Sequence, residues 1–303
     1  MRIGISCYDV PAKQLQELAV AAEQCGFDSL WLGEHVVAPI HYTSHHPTQP
    51  GSDAEHGSSD YNGKPIVDPS VDLVDPLIAL AAAAACTTTI GFATGIYLLP
   101  LRHPLLAARA AATLGNVSDG RFRLGVGSGW LREEFDALGE PFVGRTGRLT
   151  ESIQVLRKAW AGGAFEFHGE HYDFDLVHAC ARPVHVPIVL GGNSEPALRR
   201  AVALADGWFS SGIPTFDQAR ALRDRLAELQ AEAGRTDLFP TTWRIGTPDP
   251  EVVSQYAAEG FEELLVMQYD VWVGATLEEK RASLERAATT LGLTQQRLTG
   301  ASL

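Results

Sequence analysis

Two residues that could move a proton, Glu34 and His35, directly follow an apolar strand-like run over Ser29–Leu32. An imidazole can donate or accept a proton near neutral pH, so this residue pair is a candidate for acid–base catalysis if it faces a ligand. The alternative is a carboxylate and an imidazole in a solvated loop, where neither takes part in chemistry. Which alternative holds depends on whether the strand ends at a cavity.

A second stretch, residues 121–134 (RFRLGVGSGWLREE), passes from an apolar strand-like run into three glycines and then Trp130. Gly125, Gly127 and Gly129 lack a Cβ, so the backbone there can approach another group closely. That group is either a ligand or a crowded neighbouring strand. A dinucleotide-binding turn is excluded, because G-x-G-x-x-G requires its third glycine at position 130.

A third stretch, residues 191–194 (Gly-Gly-Asn-Ser), lies between a strand-like run and a helix-like run. Two glycines followed by a hydroxyl at a cap position leave backbone N–H groups at a helix N-terminus, which favours an anion such as phosphate. The alternative is a plain capped turn without a ligand.

The sequence gives less support to a metal site or to a catalytic nucleophile. Four histidines between positions 41 and 56 (His41, His45, His46 and His56) lack the cysteine or carboxylate spacing of a zinc site, so no metal is expected. No Ser-His-Asp or Cys-His pattern stands out.

The chain alternates short apolar runs with amphipathic runs, which indicates strands followed by helices. Predicted strands include Ile3 and Ile5 and cover 29–32, 90–97, 122–126, 187–190, 208–210, 241–245 and 263–267. Predicted helices lie around residues 15–22 and over 75–85, 104–114, 151–160, 195–205, 216–233, 251–258 and 277–291. Such alternation predicts an α/β fold, a (β/α)8 TIM barrel forming one domain over residues 1–303. A doubly wound open sheet is the alternative, but residues 8–11 are not its phosphate turn.

Two longer segments, about 36–72 and 162–186, are expected to be inserts at the C-terminal face of the barrel, and the first is either a lid or partly disordered. Barrel chemistry lies at the C-terminal ends of the strands. The ends to be brought together are residues 34–35, 95–96, 127–130, 191–194, 210–211 and 267–268.

Composition limits the partners and the compartment. A net charge of −13 argues against nucleic acid and against an anionic membrane surface. The uncharged stretch 76–101 imitates a membrane span, but it changes from helix-forming to strand-forming residues near Cys86, so a buried helix and strand are expected. The four scattered cysteines are expected to be buried free thiols in a reducing cytoplasm, and the N-terminus lacks the apolar core of a signal peptide.

With these stretches laid out, the chain resembles the luciferase-like flavin monooxygenase superfamily, particularly its branch that uses the deazaflavin coenzyme F420. The resemblance rests mainly on residues 94–139, supported by SLWLGEH, GRTGRLTESIQVLRKAW, FHGEHYDF and VPIVLGGNSEPALRRAVALADGWF. It implies a flavin-type ring across the barrel mouth, a cis peptide bond between Gly95 and Ile96, and a homodimer. It also implies that Glu34 and His35 face the ring, with cofactor contacts from Thr94, Gly95, Ile96, Gly127, Ser128, Gly129, Trp130, Gly191, Gly192, Asn193, Ser194 and Ser210.

One departure from the family bears on the substrate. Trp130 stands where the sugar-phosphate dehydrogenases of this superfamily carry a carboxylate proton donor, and lysines are few. The resemblance therefore favours a small apolar or aromatic substrate, with hydride passing to or from the deazaflavin and His35 moving a proton.

Other functions remain open at this point. One is a two-component FMN-dependent monooxygenase that uses O2 and receives reduced flavin from a separate reductase. Another is a cofactor-free barrel that binds a small ligand or a partner. An amidohydrolase-like metal barrel is disfavoured because the chain lacks paired barrel-mouth histidines.

Overall fold

The computed structural model describes residues 1–47 and 67–293, and its centre is a closed barrel of parallel strands. The strands are β1 (Arg2–Cys7), β2 (Ser29–Leu32), β3 (Gly91–Thr94), β4 (Tyr97–Leu98), β5 (Phe122–Gly127), β6 (Ala164–His168), β7 (Asp173–His178), β8 (Ile188–Gly191), β9 (Gly207–Phe209), β10 (Thr241–Arg244) and β11 (Glu263–Met267). The wall runs β3-β2-β1-β11-β10-β9-β8-β5-β4, and a pairing of β3 with β5 closes it. Because β3 and β4 share one position, the wall has eight positions, and the predicted (β/α)8 fold is confirmed.

Helices surround the barrel and cover the outer faces of its strands. They are α1 (Ala12–Cys25), α2 (Pro76–Ala84), α3 (Pro104–Val117), α4 (Arg132–Leu138), α5 (Arg145–Trp160), α6 (Glu195–Leu204), α7 (Phe216–Glu232), α8 (Pro250–Ala258), α9 (Gln268–Val271) and α10 (Leu277–Thr290), with a 3₁₀ turn at Leu99–Leu101. Strands covered on both faces consist of buried residues throughout, as in β2.

Three predicted elements differ from the structure. The predicted third strand over 90–97 is divided into β3 and β4 at Gly95 and Ile96, whose peptide bond is cis as the resemblance implies. The helix predicted over 151–160 begins earlier, at Arg145 after the left-handed Gly144. The insert 162–186 contains an antiparallel hairpin of β6 and β7. The middle of the other insert, 48–66, lies outside the described residues, as does His56.

The uncharged stretch 76–101 is divided between α2, β3, β4 and the 3₁₀ turn, as its change of character predicts. Across 1–47 and 67–293, no helix has both the length and the apolar character needed to cross a membrane. The four cysteines are free thiols, but the expectation that all are buried is wrong: Cys86 is exposed and Cys180 is half-buried. Cys86 lies in the turn that follows α2.

A column of aromatic and cationic side chains fills the barrel interior from its N-terminal end to its C-terminal end. Trp31 and Phe209 stack with ring centroids 5.1 Å apart. The Arg123 guanidinium lies 4.8 Å from the Trp31 ring centroid, and that of Arg244 lies 4.5 Å from the Phe209 centroid. Arg123, Trp31, Phe209 and Arg244 pack against one another in that order. The packing of the barrel interior therefore determines the position of the Arg244 guanidinium at the C-terminal end.

Glu263, the first residue of β11, anchors the N-terminal end of this column. Its fully buried carboxylate accepts two hydrogen bonds from Arg123, at 2.8 and 2.7 Å, and one from the Ser29 hydroxyl at 2.6 Å. Burial by itself would raise the pKa of Glu263, but the hydrogen bonds and charge of Arg123 lower it to about 2.

We therefore expect the free energy of unfolding to fall as the pH is lowered from about 4.5 towards 2, because the unfolded carboxyl binds its proton at the higher pH. Protonation of this one group removes about 3 kcal/mol of stability. Urea denaturation near neutral pH and at about pH 3 measures the loss, of which about 2 kcal/mol has occurred at pH 3. Glu263→Gln should lose this component of the pH dependence, whereas Glu285→Gln, at an exposed position on α10, should keep it. A Glu263→Gln variant with the wild-type acid dependence would assign the loss to other carboxyls.

Candidate active site

A cavity of about 430 Å³ opens at the carboxyl ends of the barrel strands. This volume lies within the range of roughly 300–1,000 Å³ that is typical of small-ligand and cofactor sites. Most of the predicted site residues line it, namely Glu34, His35, Gly95, Ile96, Gly127, Ser128, Gly129, Trp130, Gly191 and Gly192. The two halves of the chain therefore contribute to one site, as the strand-end rule predicts.

Four predicted cofactor residues do not line the cavity. Thr94 is buried and donates its hydroxyl hydrogen bond to the Gly125 carbonyl at 2.7 Å. Ser210 is buried and accepts from the Arg244 backbone amide at 2.8 Å. The Asn193 side-chain amide makes two hydrogen bonds to the Ser211 backbone, and Ser194 is the exposed N-cap residue of α6. Through these hydrogen bonds, Thr94, Ser210 and Asn193 support the residues that form the cavity wall.

His35 is held by a carboxylate that is distant in sequence. Its Nδ1 lies 3.1 Å from Oε2 of Glu134, a fully buried residue in the first turn of α4. Oε1 of Glu134 accepts hydrogen bonds from the backbone amides of Val36 and Val37, at 2.5 and 3.4 Å. Glu134 therefore holds the His35 imidazole at the cavity wall through its contact with Nδ1.

Glu34 has a different set of partners. Its carboxylate forms a bidentate ion pair with Arg102, at 2.5 and 3.0 Å, and accepts from the Leu98 backbone amide at 2.8 Å. Burial raises the pKa of Glu34, and the Arg102 guanidinium opposes that rise. Two parallel N–H···O bonds from Arg102 reach both carboxylate oxygens, and together with the Leu98 amide they hold the strand end in place.

Trp130 connects the cavity to the described start of the first insert. Its ring stands edge-on to His35, His46 and Tyr42, with centroid distances of 5.8, 5.3 and 6.0 Å. Burial, followed by the nearby charge of Arg244, lowers the pKa of His46 to about 4, so this imidazole is neutral at physiological pH. Trp130 and His46 thus form a largely apolar wall.

The glycines of the GVGSG stretch make room for the protein's own chain. A Cβ on Gly125 would lie 1.9 Å from the Thr94 carbonyl oxygen, and one on Gly127 would lie 2.1 Å from Cδ1 of Ile96. A Cβ on Gly129 would lie 2.8 Å from the Phe135 ring. The structure therefore supports the crowding explanation for these glycines, although Gly127 and Gly129 also line the cavity.

Several cavity residues were not predicted, and two of them, Arg244 and Tyr8, carry polar groups. Arg244 ends β10, and it donates hydrogen bonds to the Ser6 hydroxyl at 3.0 Å and to the Gly95 carbonyl at 2.9 Å. Tyr8 follows β1, and its buried hydroxyl has no hydrogen-bond partner within the described part of the chain. Burial raises the pKa of Tyr8, so its hydroxyl stays protonated. Their positions at strand ends are the one sequence signal that could have identified them.

The anion site predicted at residues 191–194 has neighbouring groups that favour an anion and others that oppose it. Ser194 caps α6 without a side-chain capping bond. Pro196 carries no N–H, however, and the Ala197 and Leu198 amides donate to the Ser194 carbonyl at 2.8 and 3.0 Å, so this helix start offers few amide donors to an anion. Glu195 stands at the first helical position, where its charge would oppose an anion. Arg225 and Arg199 each form an ion pair with Glu195, at 2.7 and 2.8 Å, and offset that charge.

Within the described residues, no group of three or more histidine, cysteine or acidic side chains could hold a metal ion. His41, His45 and His46 belong to this part of the chain, and His56 does not.

Comparison with known proteins assigns this chain to a family. The model of the luciferase-like monooxygenase family matches residues 3–289. Protein Rv0940c of Mycobacterium tuberculosis is 34% identical over 223 residues, which cover 73% of each chain. The F420-dependent glucose-6-phosphate dehydrogenase of Nakamurella multipartita is 31% identical over 208 residues, covering 65% of this chain and 52% of that protein.

Among solved structures, monooxygenase RslO1 from Streptomyces bottropensis shares the fold, with a TM-score of 0.72 and 19% identity over 96% of this chain and 98% of that one. Members of the matched family are oxidoreductases or monooxygenases that use flavin or F420. The chain therefore belongs to the luciferase-like monooxygenase family and is an enzyme of that kind.

Proposed function

We propose that this enzyme is an F420-dependent oxidoreductase that transfers a hydride between the deazaflavin and a small apolar or aromatic organic substrate. The observation that carries the proposal is His35, an imidazole that lines the cavity while its Nδ1 is held by the buried Glu134. Hydride transfer to an electrophilic carbon leaves negative charge on the substrate, and an adjacent proton donor is needed to neutralise it.

The residues of the cavity fit a flavin-type cofactor. Gly95 and Ile96 interrupt the wall and would back the ring. The glycines at positions 127, 129, 191 and 192 let the backbone approach it closely, and residues 191–194 would hold the phosphate at the start of α6. When bound, reduced deazaflavin supplies a hydride from its C5 carbon.

We assign separate roles to the two residues at the end of β2. His35 moves the proton. In the reducing direction its doubly protonated imidazolium gives a proton to the substrate as the hydride arrives, and in the oxidising direction its neutral imidazole accepts one. Both carboxylate oxygens of Glu34 are engaged by Arg102 and the Leu98 amide. Glu34 therefore acts as a positioning residue that holds His35 at the cavity.

The wall favours an apolar or aromatic substrate over a sugar phosphate. Trp130, Ile96, Leu98 and Phe209 supply apolar surface. Among the described lining residues, Arg244 is the one Lys or Arg, and its guanidinium is held by Ser6 and Gly95. A sugar phosphate would call for additional cationic donors.

The first experiment is a titration of the purified enzyme with oxidised F420 and, in parallel, with FMN, followed by quenching of tryptophan fluorescence. We expect the deazaflavin to bind and to quench, because Trp130 lines the cavity. Tight binding of FMN alone, with O2-dependent turnover, would instead support a two-component monooxygenase. Binding of neither cofactor would contradict the proposal and favour a cofactor-free barrel.

A homodimer and a reductase or dehydrogenase that regenerates the reduced cofactor belong to the same proposal. Two neighbouring helices, α2 and α3, leave Ile78 and Leu106 exposed, as a subunit interface would require.

A further inference from the structure

We propose that Glu134 is a positioning residue that fixes His35 in the tautomer protonated on Nδ1, leaving Nε2 to exchange the proton in the cavity. The catalytic meaning of this assignment rests on the proposed function. The tautomer itself does not, because it follows from contacts within the protein.

The contact joins two residues that lie 99 positions apart in the chain. Glu134 is 0% exposed and His35 is 7% exposed, so bulk water does not compete for the hydrogen bond between them. The Nδ1–Oε2 distance of 3.1 Å lies within the hydrogen-bonding range.

The donors around Glu134 determine which atom carries the proton. Oε1 accepts from the amides of Val36 and Val37, two groups that can only donate. An ionised carboxylate only accepts, so its other oxygen requires a donor at Nδ1 of His35. Neutral imidazole carries one N–H, and Nε2 is then the nitrogen with a lone pair.

The neighbouring Glu133 shows that this role is specific to one carboxylate. Glu133 accepts from the Thr43 amide at 2.8 Å and from the Ser44 hydroxyl at 2.7 Å, so it holds the loop around residues 43–44, further along the segment that follows His35. It makes no hydrogen bond to His35 among the described residues. Glu133 is therefore a matched control of the same type, on the same helical turn, that tethers the same segment.

The change Glu134→Gln tests this assignment because it keeps the shape of the side chain and replaces one of its two acceptor oxygens by an NH2 donor. The glutamine carbonyl can accept from the Val36 amide in place of Oε1, which directs the NH2 group towards Nδ1 of His35. Two donors cannot face each other, so His35 should shift its proton to Nε2.

The experiment records long-range ¹H–¹⁵N spectra of the cofactor-free full chain with ¹⁵N-labelled histidine, at a pH where imidazoles are neutral. The His35 signals are identified by their loss in His35→Gln. We expect the Nδ1–H tautomer in the wild type and in Glu133→Gln, and the Nε2–H tautomer in Glu134→Gln. An Nε2–H tautomer in the wild type, or one unchanged by Glu134→Gln, would overturn the proposal. If the variant fails to fold, the wild-type spectrum alone decides.

A second readout links the tautomer to function. In enzyme loaded with F420, Glu134→Gln should slow hydride transfer by about 10²-fold or more while the cofactor dissociation constant stays within about threefold. A tautomer change without loss of rate would remove the positioning role. Failure to bind F420 would contradict the proposed function and leave the tautomer assignment to be judged by the spectra.

Discussion

The variant His35→Gln is expected to retain cofactor affinity and to lose hydride-transfer activity by about 10²- to 10⁴-fold, the usual contribution of a positioned acid–base group. Glutamine is close to histidine in length, and its amide group takes roughly the place of the imidazole Nε2, so a polar side chain of similar reach remains at the cavity. The wall of the cavity is therefore preserved. Proton transfer is lost, because an amide does not titrate near neutral pH.

The measurement mixes enzyme loaded with reduced F420 with aromatic ketones and unsaturated carbonyl compounds, and follows the return of the oxidised cofactor absorbance. Fluorescence titration of each variant gives the cofactor dissociation constant. His168→Gln is the control, because His168 is an exposed residue on the β6–β7 hairpin that binds Asp173. Undiminished turnover in His35→Gln, with cofactor bound, would show that another group or water supplies the proton.

The barrel, and the gathering of the candidate site residues at one end of it, could be predicted because both follow from local pattern. Alternation of apolar and amphipathic runs identified the strands of the wall, and the strand-end rule then gathered segments from both halves of the chain. His35, Gly127 and Gly191 meet at one cavity for that reason. No contact between them had to be known in advance.

The partners of the site residues could not be predicted, because they are set by long-range packing. Glu34 and His35 look like one functional pair in the sequence, yet Glu34 binds Arg102 and His35 binds Glu134, at sequence separations of 68 and 99. Arg244 likewise depends on the interior column that ends at Phe209. Tertiary contacts of this kind leave no periodic signal.

The β6–β7 hairpin did leave a signal. Phe165 and Phe167 alternate with polar residues, and residues 173–176 continue the alternation after a short turn. Period-two alternation is typical of a half-buried strand. Length and polarity led instead to the prediction of an irregular insert, and the aromatic contacts of Phe174 with Phe165 and Phe167 show why the hairpin forms.

The variant Gly125→Ala should be strongly destabilised, because the new methyl group would lie 1.9 Å from the carbonyl oxygen of Thr94. That oxygen belongs to the backbone and cannot rotate away. The adjacent hydrogen bond from the Thr94 hydroxyl to the Gly125 carbonyl holds the two strands together at 2.7 Å. We expect a loss of about 3 kcal/mol or more in the free energy of unfolding, at the upper end of overpacking costs.

Urea denaturation followed by tryptophan fluorescence measures the loss of stability, and alanine variants at two further glycines are expected to give smaller losses. Gly127→Ala would meet Cδ1 of Ile96 at 2.1 Å, the end of a side chain that can change rotamer, so its loss should be smaller. Gly246→Ala meets nothing within 4 Å and should lie within about 0.5 kcal/mol of the wild type. If Gly125→Ala proved as stable as Gly246→Ala, the strand could yield at Thr94 and crowding would not explain this glycine. The three positions together separate a glycine that the barrel requires from one whose neighbour can move, because only at Gly125 does the new methyl group meet a backbone atom.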